Sequence, residues 1–237
     1  MFSETPELYD AIYGAFKDYD AEAAQVARLL NEIAPGACRL LDVGCGTGEH
    51  ARRLHEVHGF TVAGLDIEPT FVEIARRKLP SAEFRQGDMA DFDLGVPFDA
   101  VLCLFSSIGY LTDLSRVERA ARCFLRHLVP GGVAVVEPWF PPAAWHPGRV
   151  YVHTADTETG RIVRMSHSSV EGRISRIEFH YLIGSGSGIE HRIERHELGL
   201  FTSGELVDAF GRAGFASVDH DPEGLTGRGL LVARAPG

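Results

Sequence analysis

The sequence predicts an α/β protein, a parallel sheet with helices on both faces that carries an inserted antiparallel β region. Three observations predict it. Strand-like and helix-like segments alternate from residue 39 to residue 136. A glycine-rich turn, Gly44-Cys45-Gly46-Thr47-Gly48, joins the first strand to the next helix. From 150 to 201 the alternation gives way to strand-like runs separated by turn signals. Repeated β-α-β units at this spacing bury parallel strands beneath helices.

The elements follow in order. Residues 1–18 form a lead-in with scattered apolar and aromatic side chains: Phe2, Leu8, Tyr9, Ile12, Tyr13 and Phe16. Asp20 to Ala34 places Ala24, Val26, Ala27, Leu29, Leu30 and Ile33 at helical spacing, and Pro35-Gly36 ends the run. Arg39 to Val43 is a short buried strand, His50 to His58 a helix, Thr61 to Leu65 a strand, and Thr70 to Leu79 a helix. Glu83-Phe84 is a brief strand and Ala100 to Phe105 a strongly apolar one. Leu114 to Leu128 is an amphipathic helix stopped by Pro130-Gly131-Gly132, and Val133 to Val136 is a strand. In the inserted region Ile174, Arg176, Glu178 and His180 share one face, opposite Ile177, Phe179 and Tyr181, as in an antiparallel sheet with one polar side. Ser203 to Ala213 is a final helix, and Gly229 to Ala233 returns to the main sheet. The expected organisation is 1–137 for lead-in and cofactor core, 138–201 for the insertion, and 202–237 for the return.

Composition narrows the class. With 237 residues, 45% hydrophobic and 24% charged, the chain suits one soluble domain with a large insertion. No apolar run reaches the ~18 residues of a membrane helix, and Met1-Phe2-Ser3-Glu4 lacks a basic leader, so a cytoplasmic protein is expected. The cysteines at 38, 45, 103 and 123 have neither zinc-site nor disulfide-framework spacing, and Cys38, Cys45 and Cys103 read as small buried thiols, so no metal is expected. A formal charge of −10 disfavours tracking a nucleic-acid backbone.

The glycine-rich turn carries the functional signal. A pyrophosphate fingerprint needs glycine at position 49, where the chain has Glu49. Asp42-x-Gly44-x-Gly46-x-Gly48 instead suits a ligand bearing an amino acid, whose ammonium meets Asp42 or nearby carbonyls. Asp66 ends the second strand, where a carboxylate accepts ribose hydroxyls. Gly87-Asp88-Met89 follows the third, placing Asp88 for an adenine amine and Met89 against the ring. Successive strand ends are where open α/β sheets bind ligands. Together these segments resemble the S-adenosylmethionine (SAM) site of class I methyltransferases. That resemblance implies a Rossmann-like, seven-stranded sheet and SAM as methyl donor.

A second series is more specific: Lys17-Asp18-Tyr19, Phe105-Ser106-Ser107-Ile108-Gly109-Tyr110-Leu111, Val136-Glu137-Pro138-Trp139, Arg164-Met165-Ser166-His167-Ser168, Glu178-Phe179-His180-Tyr181 and Gly227-Arg228-Gly229-Leu230. It resembles the N-methyltransferases of TDP-linked amino-deoxysugars, which make dimethylamino sugars of the desosamine and mycaminose type, over nearly the whole chain. The resemblance implies a nucleotide-sugar acceptor and an insertion that covers the site or builds a homodimer contact. It adds Phe105 and Tyr19 to the cofactor side, and Ser107, His167 and Tyr181 to the substrate side. The chain departs from the family in lacking a further lead-in tyrosine before Tyr9, and in having Tyr110 where some members have histidine.

A nucleotide-sugar needs local cations in so acidic a protein. Arg228, between glycines, is the first candidate for a diphosphate or sugar contact, followed by Arg164 and Arg176. Trp139 has two readings, stacking on a sugar or base and packing against the insertion. His167 and His180 read more readily as parts of the inserted sheet than as catalysts. Methyl transfer to an amine needs a free lone pair, and an amine of pKa about 8 keeps a neutral fraction without a strong base. Alignment and exclusion of water then dominate catalysis. Tyr110 and Tyr19 are the candidates to orient the nitrogen or accept its proton. The alternative is a SAM enzyme acting on another small-molecule amine, carboxylate or hydroxyl. Glu49 disfavours an NAD enzyme, and no Asn-Pro-Pro-Tyr segment for a flipped base is present.

Overall fold

The computed structural model of the chain describes residues 6–158 and 160–237, without the side chain of Glu7. Phe2 lies outside the described residues. The main sheet has seven strands: β1 (Arg39–Val43), β2 (Thr61–Asp66), β3 (Glu83–Gln86), β4 (Phe98–Cys103), β5 (Leu128–Val136), β10 (Ser217–Asp221) and β11 (Leu230–Arg234). Their spatial order is β10-β11-β5-β4-β1-β2-β3. The first five are parallel, and β11 runs antiparallel to β5 with Val232 opposite Val135. The order reverses beside β1, so the glycine-rich turn opens where helices depart to opposite faces.

The helices are α1 (Tyr9–Gly14), α2 (Tyr19–Ile33), α3 (Glu49–Glu56), α4 (Pro69–Lys78), α5 (Leu114–Arg126) and α6 (Ser203–Ala213). One sheet face is covered by α2, α3 and α4, through Val26, Leu30, Leu54 and Val72. The other is covered by α5 and α6, through Val117, Phe124, Leu206 and Phe210. Full burial of side chains this size is worth roughly 1.5–3 kcal/mol each. The cores explain why β1, β4 and the end of β5 are nearly all apolar: they are covered on both sides.

A second sheet of four antiparallel strands, β6 (Val150–Thr157), β7 (Gly160–Glu171), β8 (Ile174–Ser185) and β9 (Gly188–Gly199), stands on the C-terminal edge of the first. Ile177, Phe179 and Tyr181 face inward and Arg176, Glu178 and His180 outward. Helix α1 packs beneath this sheet, where Leu8 and Ile12 meet Ala155, Ile162, Phe179 and Tyr181.

Four details depart from the sequence reading. The lead-in contains a helix, α1, that scattered aromatics did not announce. Strand β10 is polar because it is an edge, paired only to β11. The helix expected to reach Leu128 stops at Arg126, and β5 begins at Leu128 and runs through Pro130-Gly131-Gly132. Cys38 is exposed rather than buried, because it precedes β1 at the sheet's lower edge.

Candidate active site

A cavity of about 600 Å³ opens between the C-terminal edge of the parallel sheet and the inward face of the inserted sheet. Its floor is built by the loops after β1 to β4: Gly44 and Gly46, Asp66 to Glu68, Gly87 to Met89, and Phe105 to Leu111. Its wall is α1, with Tyr9 and Tyr13, and its roof comes from Arg164, Ile177, Phe179 and His196. A narrow recess adjoins it, lined by Asp42, Thr47, His50, Tyr9 and Tyr19.

The glycine turn is held open by the residues around it. Gly44 has φ 71°, and a Cβ there would lie 2.6 Å from the Cβ of Ser107, so this floor admits no side chain. Ser107 donates its hydroxyl to Leu104 O at 3.0 Å. Gly48 caps α3 in the left-handed region, and a Cβ there would meet Ala75 at 2.9 Å; it serves helix packing and does not line the cavity. Asp66 accepts from the amides of Gly46 at 2.7 Å and Glu68 at 2.9 Å. It thereby ties the β2 end to the glycine turn.

Asp42 is 2% exposed, and its Oδ2 has no partner among the described residues. Burial pushes its carboxyl up to about 6. Glu49, the residue that breaks the pyrophosphate fingerprint, borders the recess and is held by ion pairs to Lys78, Arg52 and Arg53. Those cations overcome its partial burial and hold it down at about 2. Asp88 is already bonded: Arg116 donates to it at 2.6 Å and the Ala90 amide at 2.9 Å.

Phe105 and Ser106 both take positive φ, 52° and 62°. Such conformations persist only when the surroundings fix them. Buried Glu137 does this, accepting the Phe105 amide at 2.7 Å while Thr226 donates to its other oxygen. Arg228 sits 3.3 Å from the same carboxylate. The Phe105 ring then lies between two cations, Lys17 Nζ at 4.2 Å and the Arg228 guanidinium at 5.1 Å, with Tyr13 edge-on at 5.3 Å. Lys17 is paired with Glu22, which also meets His50 at 2.8 Å. Burial lowers its ammonium, and the pairing works against that fall.

The roof carries one buried cation. Arg164 is 3% exposed and stacks on Phe179 at 4.6 Å and Tyr13 at 4.9 Å, close to His153 Nδ1 at 3.4 Å. Tyr110 points up from the loop after β4 to His196 Nδ1 at 2.7 Å. Burial raises the Tyr110 hydroxyl well above its ordinary value.

The structure sorts the sequence candidates by place. Gly44, Gly46, Asp66, Asp88, Met89, Phe105, Ser107, Tyr110, Trp139, Arg164 and Arg228 line the cavity. Asp42 and Tyr19 line the adjoining recess. Arg176 is on the outward face, paired with Glu171 and Glu197, and His167 is exposed there as well, so neither reaches the cavity. One-residue alternation decides this, since Arg164, Ser166 and Ser168 share the opposite face. Tyr181 is buried behind the roof with its hydroxyl toward Glu194 at 3.4 Å. Trp139 donates its indole N–H to Ser175 at 2.9 Å, fixing its edge to the inserted sheet while the ring faces the cavity. Sequence reasoning missed Tyr9, Tyr13, His153 and His196. The i, i+4 spacing of Tyr9 and Tyr13 was an available signal; the histidines offered none.

A methyltransferase domain model matches residues 40–132. The chain is 46% identical to the dTDP-3-amino-3,6-dideoxy-alpha-D-glucopyranose N,N-dimethyltransferase of Streptomyces fradiae, over 97% of this chain and 90% of that protein. This chain belongs to the class I SAM-dependent methyltransferases of the TDP-amino-deoxysugar N,N-dimethyltransferase family. Two solved structures share its fold at 39% identity. One is DesVI of Streptomyces venezuelae, with TM-score 0.91 over 98% of both chains. The other is SAM-bound CalS10, an amino pentose methyltransferase of Micromonospora echinaspora, with TM-score 0.86 over 96% of both.

SAM is the methyltransferase's donor, and the residues present fit it. The recess offers a buried carboxylate, Asp42, whose Oδ2 has no partner among the described residues, to an ammonium. Gly44 leaves the space a side chain would fill. Tyr9 and Phe105 line both the recess and the cavity, and Phe71 lines the cavity.

Proposed function

We propose that this methyltransferase transfers two methyl groups in succession to the amino group of a TDP-linked 3-amino-3,6-dideoxyhexose. The observation that carries the reading is the roofed cavity itself. Its floor is a SAM-type loop set, and Arg116, Arg149, Arg164 and Arg228 line the cavity of a protein with net charge −10. Four arginines lining one cavity of so acidic a chain suit an acceptor that carries a diphosphate. The 3-amino assignment follows the relative from S. fradiae, whose name specifies that sugar.

SAM supplies an electrophilic methyl carbon on a sulfonium. In this reading Asp42 takes its ammonium, Asp66 the ribose hydroxyls, and Met89 packs on the adenine beside Asp88. Tyr19 and Phe105 close the methionine end, where Gly46 and Gly48 shape the turn. Arg228 and Arg164 hold the diphosphate, Trp139 stacks on the sugar, and Ser107 borders the acceptor. Tyr110 orients the amine, so that its lone pair points at the methyl carbon. The inserted sheet excludes water from the reacting atoms. Tyr181 acts from behind the roof.

We also infer a homodimer through the outward face of the inserted sheet. Val152, Met165, His180 and Ile193 align across its four strands, and Val152, Met165, Leu182 and Ile193 are exposed. The four free cysteines support residence in a reducing compartment, the cytoplasm.

TDP titrated calorimetrically into the enzyme with S-adenosylhomocysteine tests the acceptor. Binding that weakens at least tenfold in Arg228→Gln is expected. No TDP binding to the parent enzyme contradicts a nucleotide-linked acceptor.

A further inference from the structure

The turn after β4 and the strand β9 are 86 residues apart in sequence, yet they place the Tyr110 hydroxyl 2.7 Å from His196 Nδ1 inside the cavity roof. His196 is 1% exposed and lines the cavity. Its other nitrogen, Nε2, faces Glu194 Oε2 at 3.8 Å. Glu194 is itself buried and accepts from the Tyr181 hydroxyl at 3.4 Å. The result is a line of three groups, Tyr110, His196 and Glu194, running from the floor of the cavity into the roof.

We propose that Tyr110 and His196 form a proton relay: a protonated substrate amine passes its proton to the Tyr110 oxygen while Tyr110 gives its own to His196 Nδ1. The relay rests on the amine-acceptor reading above. One N–H bond breaks at the amine and one O–H bond forms at Tyr110; one O–H bond breaks at Tyr110 and one N–H bond forms at His196. Tyr110 is neutral before and after, and the positive charge moves from the amine to the imidazole. Tyr110 is the group placed to touch the amine, and His196 acts through it.

The geometry sets the direction. The Glu194 carboxylate favours the imidazole proton on Nε2, which leaves Nδ1 to accept from Tyr110. With its hydrogen committed to His196, Tyr110 presents lone pairs to the cavity and accepts an N–H from the amine. Burial keeps imidazole neutral at rest: His196 is held below its ordinary value by desolvation, with Glu194 opposing this and Arg164 on β7 adding to it. Other polar groups acting on the pair are Tyr13 on α1, Asp66 at the end of β2 and Tyr181 on β8, the last bonded to Glu194, and Phe179 covers the imidazole edge-on at 5.0 Å. A tyrosine buried this deeply is a poor phenolate, so Tyr110 conducts a proton and does not store the charge. An ammonium held against a sulfonium in the same cavity is destabilised by like-charge repulsion, which drives its proton toward the imidazole and carboxylate. The same step serves both methylations, because the monomethylated product also carries a proton that must leave before the second transfer.

The relay has a pH signature. An amine of pKa about 8 is about one-tenth neutral at pH 7. With the relay, the protonated majority is a usable substrate; without it, only the neutral fraction reacts. His196→Gln keeps an acceptor for the Tyr110 hydroxyl but cannot take a proton. Its kcat/KM is expected to be about tenfold below the parent at pH 7 and equal to it at pH 9.5. Tyr110→Phe also loses the contact that orients the amine, so its kcat/KM is expected to stay below the parent at every pH, with the deficit about tenfold larger at pH 7 than at pH 9.5; that change in deficit carries the test should His196→Gln fail to fold. ¹⁵N-histidine NMR of the parent gives a readout apart from turnover, with His196 expected as the Nε2–H tautomer at pH 7. A variant profile lower by the same factor at every pH, or an Nδ1–H tautomer, overturns the relay. If the parent methylates none of the amino-sugars offered, the acceptor reading falls first and the relay with it; parent turnover with an unshifted variant profile removes the relay alone.

Discussion

Asp42 shows how one residue is placed for binding at the expense of stability. An aspartate near 4 in the unfolded chain rises to about 6 in this fold because burial disfavours its charge. A raised carboxyl favours the folded state at low pH, and that contribution is lost as pH rises from about 4 through about 6. The full cost above pH 6 is roughly 3 kcal/mol. Asp42→Asn removes the titration. Its melting temperature relative to the parent, both without ligand, is expected to be higher at pH 8 than at pH 5 by the equivalent of about 1 kcal/mol. SAM binding at pH 8 is expected to weaken at least tenfold, since the ammonium loses its carboxylate. Melting curves whose difference does not change with pH contradict this placement of the charge.

At the scale of elements, helix α6 is fastened by a capping box: Thr202 accepts from the Glu205 amide at 3.2 Å, and Glu205 accepts from the Thr202 amide at 2.9 Å. Thr202→Ala is expected to cost about 1 kcal/mol, seen as a melting temperature lower by about 2–4 °C in a chain of this size, with kcat unchanged because no residue of α6 lines the cavity. A fall in kcat as large as that from altering Tyr110 contradicts this separation. The elements most legible in the sequence were those with one dominant signal. The apolar runs of β1, β4 and the end of β5, and the glycine turn between β1 and α3, announce themselves because burial on both faces leaves few choices of side chain. Strand β10 was illegible because an edge strand tolerates Ser217, Asp219 and Asp221. Helix α1 was missed although Tyr9 and Tyr13 stand at i, i+4, because it is only six residues long and the surface that its apolar side packs against, the inserted sheet, lies some 140 residues away. The alternation that assigns Arg164 inward and Arg176 outward was present in the sequence. Which parity faced the cavity was not, because that depends on how the second sheet stands on the first. His196 was hidden for the same reason.

At the scale of the whole molecule, the inserted sheet has two faces with different tasks. Its inner face closes the cavity with Arg164, Phe179 and His196, and its outer face exposes Leu182, Met165 and Ile193 between charged rows. No described helix is long and apolar enough to cross a membrane. A second copy of the chain is the proposed cover for the outer face. Leu182→Glu is expected to shift the parent from dimer to monomer by light scattering, and a monomeric parent removes the dimer from the account. The loops that follow β4, β5 and β10 meet at the Phe105–Arg228–Glu137 cluster, where a strained turn, a cation and a buried carboxylate fix one another. That junction puts the SAM side and the proposed acceptor side in a single cavity. The most direct measurement is incubation of the enzyme with SAM and a set of TDP-3-amino- and TDP-4-amino-6-deoxysugars, followed by mass spectrometry. The account predicts a gain of two methyl masses on the TDP-3-amino-3,6-dideoxyhexose, passing through one. A sample that binds SAM yet methylates none of these sugars contradicts it and assigns the cavity to another acceptor.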